Sequence, residues 1–491
     1  MQCCHKAHLD YFCGLYFIQV NLKLNQMQKD NHSPANRKKG LKTLILLVVV
    51  LFLIVGIPFL LISYQARQKG MTRSEVIKRI VNRTGSKDNI SGQEKNNLFG
   101  AKIDFLDPVP VGQTFKEPPL ISNVVAADLD KDGLMDIIVC DCKSNSVNWI
   151  RQFPKGVFKE TVLADGLNAP AHAQVIDFDG DGDNDILVAV LGLLFPSNDK
   201  IGSVVILEND GTNHFIKHVV VDKIARVSDV RAGDLDGDGD LDLAVAQFGY
   251  DDGETRWIEN LGNWQFKSHI LQNLSGPINV IIDDIDKDGD LDIISLVSQE
   301  WEEIYGFIND GKGHFTSKLL YGSSNEDFGS SGIYVCDLDK DGDDDILYTN
   351  GDAFDYIPPQ GRPWHGIQWL ENKGNWNFEY HRICDFIGAY NARPVDIDND
   401  GDLDIFCVSA FNLWDKPESQ SFIWLENIGN MKFVLHNIAS SPTHILTLES
   451  ADFNNDGLTD FVTGDMHAYP PYDRMGRITL WMNNGKLNIK K

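Results

Sequence analysis

The chain has 491 residues, with 71 Asp and Glu against 44 Lys and Arg, a formal charge of −27. That length holds two or three ordinary domains or one repeat array. A 43% apolar share excludes wholesale disorder. The acid excess excludes a general nucleic-acid binder, which needs a basic stripe against phosphates, so no nucleic-acid partner is expected. Of eight cysteines only five follow residue 70, and no pair has zinc-finger spacing.

In chain order, residues 1–43 read as an N-terminal cytoplasmic segment, with residues 1–26 unpatterned and Met27 an alternative start. Leu44 to Ile62 is a run of 19 residues without a charge. At ~1.5 Å per residue it crosses most of a ~30 Å hydrocarbon core, and it exceeds the apolar region of a cleaved signal peptide. Residues 44–63 are therefore expected to be a single-pass signal anchor, and the body of the chain to face the periplasm or cell exterior. Residues 64–120 are basic at first and then Pro-rich, which suits a stalk. Phe105 to Phe115 is expected to close the array against a short last strand at Leu487-Asn488-Ile489.

From residue 121 to 491 one nonapeptide recurs seven times, Asp-x-Asp/Asn-x-Asp-Gly-x-x-Asp. Its positions 1, 3, 5 and 9 are Asp128, Asp130, Asp132 and Asp136; Asp177, Asp179, Asp181 and Asp185; Asp234, Asp236, Asp238 and Asp242; and Asp284, Asp286, Asp288 and Asp292. The remaining three sets are Asp337, Asp339, Asp341 and Asp345; Asp396, Asp398, Asp400 and Asp404; and Asp452, Asn454, Asp456 and Asp460. Position 7 adds five more Asp, so nearly half of the 71 acids lie in these loops. Alternating hard oxygen donors with Gly at position 6 suit calcium, which takes 6–8 oxygens; up to seven structural ions are expected. An EF-hand would need Glu at position 12, where the first loop has Val139.

A second element follows each loop, an Asn-x-Gly turn between strands, as in WIENLGNWQF ending at Phe266, WLENKGNWNF ending at Phe378 and WLENIGNMKF ending at Phe433. Each unit then reads strand, acidic loop, strand, variable loop, strand, turn, strand. Steps of 49 to 59 residues between loops match one propeller blade. The acidic loops resemble the calcium-binding repeats of the FG-GAP/VCBS class, similar to those of the integrin α-subunit propeller. The resemblance implies an all-β, seven-bladed propeller of four-stranded antiparallel blades with calcium bracing its rim. Seven loops and an N-terminal anchor depart from the integrin arrangement.

The variation in repeat length sits between the second and third strands, so one face of the ring is uniform and the other carries loops of varied length, where binding concentrates. Those loops hold Trp301, Tyr356, Trp364, Trp414 and Tyr472, candidates for stacking on sugar rings or anchoring a protein. Long loops also use such residues to pack themselves down. Period-2 alternation on the first strand of each unit places Val124, Ala173, Val230 and their equivalents between blades. It sends His172, Arg231, Tyr334 and Arg393 toward a central channel, and these with His467 are candidates for an acid/base cluster. No nucleophile elbow, phosphate loop or zinc motif is present. The leading expectation is a cell-surface recognition or adhesion module for a glycan or protein. The alternatives are a lyase or hydrolase acting on acidic glycans, and a scaffold for assembly.

Overall fold

The computed structural model describes residues 105–487 apart from 300 and 357, the pair Leu98–Phe99, and residues 59, 60, 62, 63 and 73. Residues 1–43 and most of the 44–63 run lie outside the described residues. Among the described residues no helix is long and apolar enough to cross a membrane. The chain divides into two units, Met1–Val81 and Asn82–Lys491, and every strand among the described residues belongs to the second.

Among the described residues the repeating sequence builds seven sheets, each an antiparallel run of four consecutive strands except at the closing blade, which has three consecutive ones, and at the sixth, which gains a fifth. The first comprises Ile121–Ala127, Asp136–Asp141, Ser146–Gln152 and Phe158–Ala164. First strands touch one another in sequence order, and Ile445–Ala451 returns to Ile121–Ala127, so the sheets radiate from a common axis as propeller blades. The second strand of each blade, such as Asp136–Asp141 or Asp404–Ser409, is buried at all six residues. It lies between two hydrogen-bonded neighbours with a blade packed on either face, which explains the mainly apolar run that follows its leading Asp. Fourth strands face solvent and alternate instead, as Phe158–Ala164 does. On the first strands Val124, Ala173, Val230, Val280, Ala392 and Leu448 are buried between blades. That burial follows the sequence alternation.

The ring closes with a strand from the other end of the chain. Leu106–Pro110 pairs antiparallel with Ile478–Asn483 and supplies the seventh blade's outer strand. Its partner is not the expected Leu487–Ile489 stretch, of which 488 and 489 lie outside the described residues. The stretch read as stalk therefore contributes to the ring from Phe105 onward. Phe105 is fully buried, edge-on to Trp424 at 5.8 Å, in a wedge that includes Phe406, Phe461 and Trp481. Leu98–Phe99 adds a fifth, parallel strand to the sixth blade, opposite Val434 and Leu435.

Candidate metal loops and central channel

Each acidic loop joins the first and second strands of its blade, and all seven fold alike. The position 1 carboxylate accepts the backbone N–H of the Gly at position 6, as Asp128 does from Gly133 at 2.8 Å and Asp396 from Gly401 at 3.1 Å. The position 5 carboxylate accepts the N–H at position 7, as Asp238 does from Asp240 at 2.9 Å. The six-position glycines sit at φ between 86° and 100°, a region closed to most L-residues. Position 4 is also left-handed, at Lys131, Gly180, Gly237, Lys287, Lys340, Asn399 and Asn455. That second bend escaped the sequence reading, although Gly and Asn recurring there are its signature.

Position 9 is more than a fourth ligand. Asp242 is fully buried; its Oδ2 accepts the N–H of Leu235 at 3.1 Å and its Oδ1 that of Asn260 at 2.7 Å. Asn260 is the Asn of the WIEN run, and its amide returns a hydrogen bond to the carbonyl of Leu241 at 3.1 Å. The same stitch joins Asp185 to Asn209, Asp345 to Asn372, Asp404 to Asn427 and Asp460 to Asn483. In the first blade Gln152 takes the Asn's place opposite Asp136. The two motifs found separately along the sequence are thus halves of one clamp. Burial raises the carboxyl pKa of Asp136, Asp185, Asp242 and Asp460 to about 6, of Asp292 and Asp345 to about 7, and of Asp404 to about 8. A cation among them would offset that cost.

Carboxylate oxygens from positions 1, 3 and 9 converge within 4.8 Å in sets such as Asp128, Asp130 and Asp136, or Asp284, Asp286 and Asp292. Buried oxygens on Asp177 and Asp337 at position 1, on Asp130 (both oxygens) and Asn454 at position 3, and on Asp404 at position 9 have no hydrogen-bond partner. Hard, converging, unsatisfied oxygens fit a hard cation.

A model of the FG-GAP-like repeat matches residues 128–188, 177–245, 234–295, 284–348 and 396–463. The chain belongs to the FG-GAP-like repeat family. No curated protein matches this FG-GAP chain. Two solved structures similar to it are crystals of BBS1N in complex with ARL6DN, one soaked with lead and one with mercury. The first is 10% identical, with a TM-score of 0.46 over 78% of this chain and 98% of that one. The second is 10% identical, with a TM-score of 0.45 over 76% and 94%.

The axis of the FG-GAP propeller holds a cavity of about 540 Å³. His172, Arg231, Tyr334 and Arg393 all line it, as the alternation required, together with Gln174, Asn279 and Glu449. Arg393 pairs with Glu449, donates to Asn391 Oδ1 at 2.8 Å, and lies 5.2 Å over the Tyr334 ring. Asp229, buried in the channel wall, lies 3.0 Å from His172 Nδ1 and 3.4 Å from Arg231 Nε, and accepts the N–H of Val280 at 3.1 Å. Burial, then Arg231, pushes the His172 pKa down to about 3 against the pull of Asp229. The imidazole is neutral throughout the physiological range.

The fifth candidate of that cluster falls elsewhere. His467 does not line the cavity; it is buried in the seventh blade with its ring 5.1 Å from His444 and Nε2 3.9 Å from Asp465. The aromatic candidates also separate. Trp414 is buried between His444 and the Arg474 guanidinium, because its loop folds back over the blade. Trp301 and Trp364 are half-buried, their indole N–H groups donating to Ser275 Oγ at 3.1 Å and the Asp327 carbonyl at 2.8 Å. Tyr356 is covered by Arg362 at 3.6 Å, and Tyr472 alone of the five is 43% exposed. None of them borders the cavity. Its aromatic lining is instead Phe195, Phe248, Phe354 and Tyr390, besides Tyr334. Phe in a variable loop carries no local mark that distinguishes rim from core, so the sequence could not rank these.

Proposed function

We propose that the propeller is a calcium-stabilised recognition module, anchored by residues 44–63 with its ring outside the cytoplasm, and that it takes a glycan end into the mouth of the central channel. The observation that carries this reading is the lining. It combines planar polar side chains (Gln174, Asn279, Arg231, Arg393, Glu449) with a partly exposed ring at Tyr334, and the rim is aromatic. Sugars are held by such bidentate polar groups together with ring faces. Calcium in the acidic loops would brace the opposite face. Abundant external calcium suits loops of this kind, which outside the cell often bind at about 10⁻⁴–10⁻³ M.

The enzyme alternative has less support. A histidine with a pKa near 3 is a weak base at neutral pH, since general catalysis works best with a group that titrates near the working pH. The test is a glycan and protein array probed with the full chain, followed by affinity and turnover measurements on the hit. Tyr334→Ala and Asn279→Ala should each lower affinity roughly 10-fold or more without lowering the melting temperature, the size expected for lost polar and ring contacts. Tyr472→Ala should leave affinity unchanged. A protein hit would redirect the partner class, and product formation lost in His172→Gln would replace the module by an enzyme.

A further inference from the structure

The seven acidic loops are not equivalent, and the difference lies outside the nonapeptide. In the third strand, the residue just before the turn-clamping Asn or Gln packs beside the loop. It is Glu in four blades, at Glu208, Glu259, Glu371 and Glu426. Each glutamate is held by a histidine across the strand pair: His269 and His381 reach Glu259 and Glu371 at 2.8 Å, His436 reaches Glu426 at 2.6 Å, and His218 pairs with Glu208. Three of these glutamates add repulsion at the position 3 aspartates Asp179, Asp236 and Asp339. Lys267 lies 2.9 Å from Glu259 and Lys373 pairs with Glu371, but among the described residues no cationic side chain is seated on the position 3 aspartate of these three loops.

The first blade reverses this. Arg151 stands at the glutamate's position and Thr161, opposite Trp149, at the histidine's. The Arg151 guanidinium lies 2.5 Å from Asp130 Oδ2 and 3.6 Å from Asp132 Oδ2, an ion pair without hydrogen-bond alignment. The rings of Trp149 and Phe153, at 5.5 and 4.9 Å, hold it there. The Asp130 side chain is only 3% exposed, so its countercharge must come from the protein or an ion rather than from water. Lys131, within the same loop, donates to the Gly182 carbonyl and adds a second cation.

Resting on the calcium reading above, we propose that the first loop takes no calcium because Arg151 supplies its positive charge from within the chain. A divalent ion among Asp128, Asp130 and Asp136 would meet a guanidinium already seated on one of its ligands. The first blade then keeps its rim geometry whether or not calcium is present, while the Glu-backed blades depend on the ion.

Equilibrium dialysis of the full chain at 1 mM free calcium, with bound metal counted per chain, tests this. Asp236→Asn should lose one ion, Asp130→Asn should lose none, and Arg151→Gln should gain one. Should Arg151→Gln fold poorly, Arg151→Lys keeps the charge without the planar fork and should match the natural chain's count. Loss of an ion in Asp130→Asn overturns the proposal, as does an unchanged count in Arg151→Gln. A chain that binds no calcium at all removes the reading on which it rests, and is told apart by Asp236→Asn having nothing to lose.

Discussion

At the scale of single residues, position 9 and position 5 of the acidic loop do different work. Asp242 accepts two buried backbone N–H groups whether or not an ion is present, whereas Asp238 accepts one, at the surface. Asp242→Ala should therefore cost roughly 2–5 kcal/mol even in chelator, because two buried donors are orphaned. Asp238→Ala should cost little in chelator and more with calcium; paired melts with and without chelator separate the two. Gly239, at φ 95°, has open space around an added Cβ, so Gly239→Ala tests conformation alone. It should cost about 1–2 kcal/mol. His365 gives a pH prediction. It is fully buried, its Nδ1 accepts the N–H groups of Arg362 and Gly388 at 3.3 Å, and burial pushes its pKa down to about 3. The folded state binds the proton less well than the unfolded one, so stability is full above about pH 6.5 and is lost as pH falls toward 3. His365→Asn keeps an acceptor but does not titrate. At saturating calcium its melting temperature should fall less steeply between pH 6.5 and 4.5 than that of the natural chain.

Among the elements, the strand from the N-terminal side decides whether the ring is closed. Without Leu106–Pro110 the edge at Ile478–Asn483 is unpaired and Phe105 leaves the aromatic wedge with Trp424. Exposed edges recruit other chains. A chain starting at residue 121 should melt lower than one starting at 98 and should elute partly as aggregate. Phe105→Ala in the full chain should cost about 3–5 kcal/mol, as a large buried aromatic does. Equal melting of the two truncations would show that the closing strand contributes nothing.

For the whole molecule, nearly half of the 71 acids lie in the seven acidic loops, which the meander order of the strands puts at the same end of the ring. Empty loops repel one another, and each occupied site adds about 2.7 kcal/mol when free calcium is a hundredfold above its dissociation constant. The melting temperature should fall sharply in chelator and recover with added calcium; an unchanged value would remove the calcium reading. The opposite face, with its channel mouth, should keep its ligand specificity in any variant that keeps the ring closed.

The repeat by itself determined the blade count, the strand order and the inward-facing channel residues. Each rests on a local period that the chain states seven times: alternation along a strand, an Asp spacing that only a tight loop satisfies, a Gly where φ must be positive. His172, Arg231, Tyr334 and Arg393 met in the channel for that reason. What lies between repeats was not legible in this way. His467 and Tyr472 share one variable loop and Trp414 lies in the preceding one, yet His467 and Trp414 are buried and Tyr472 is exposed, because that outcome depends on how a loop of irregular length folds over its blade. The pairing of Asp242 with Asn260, the seating of Arg151 on Asp130 and the closure by Leu106–Pro110 depend on groups brought together only when strands align or the ring closes. Sequence periodicity encodes which way a side chain points. Only the assembled ring decides what it meets.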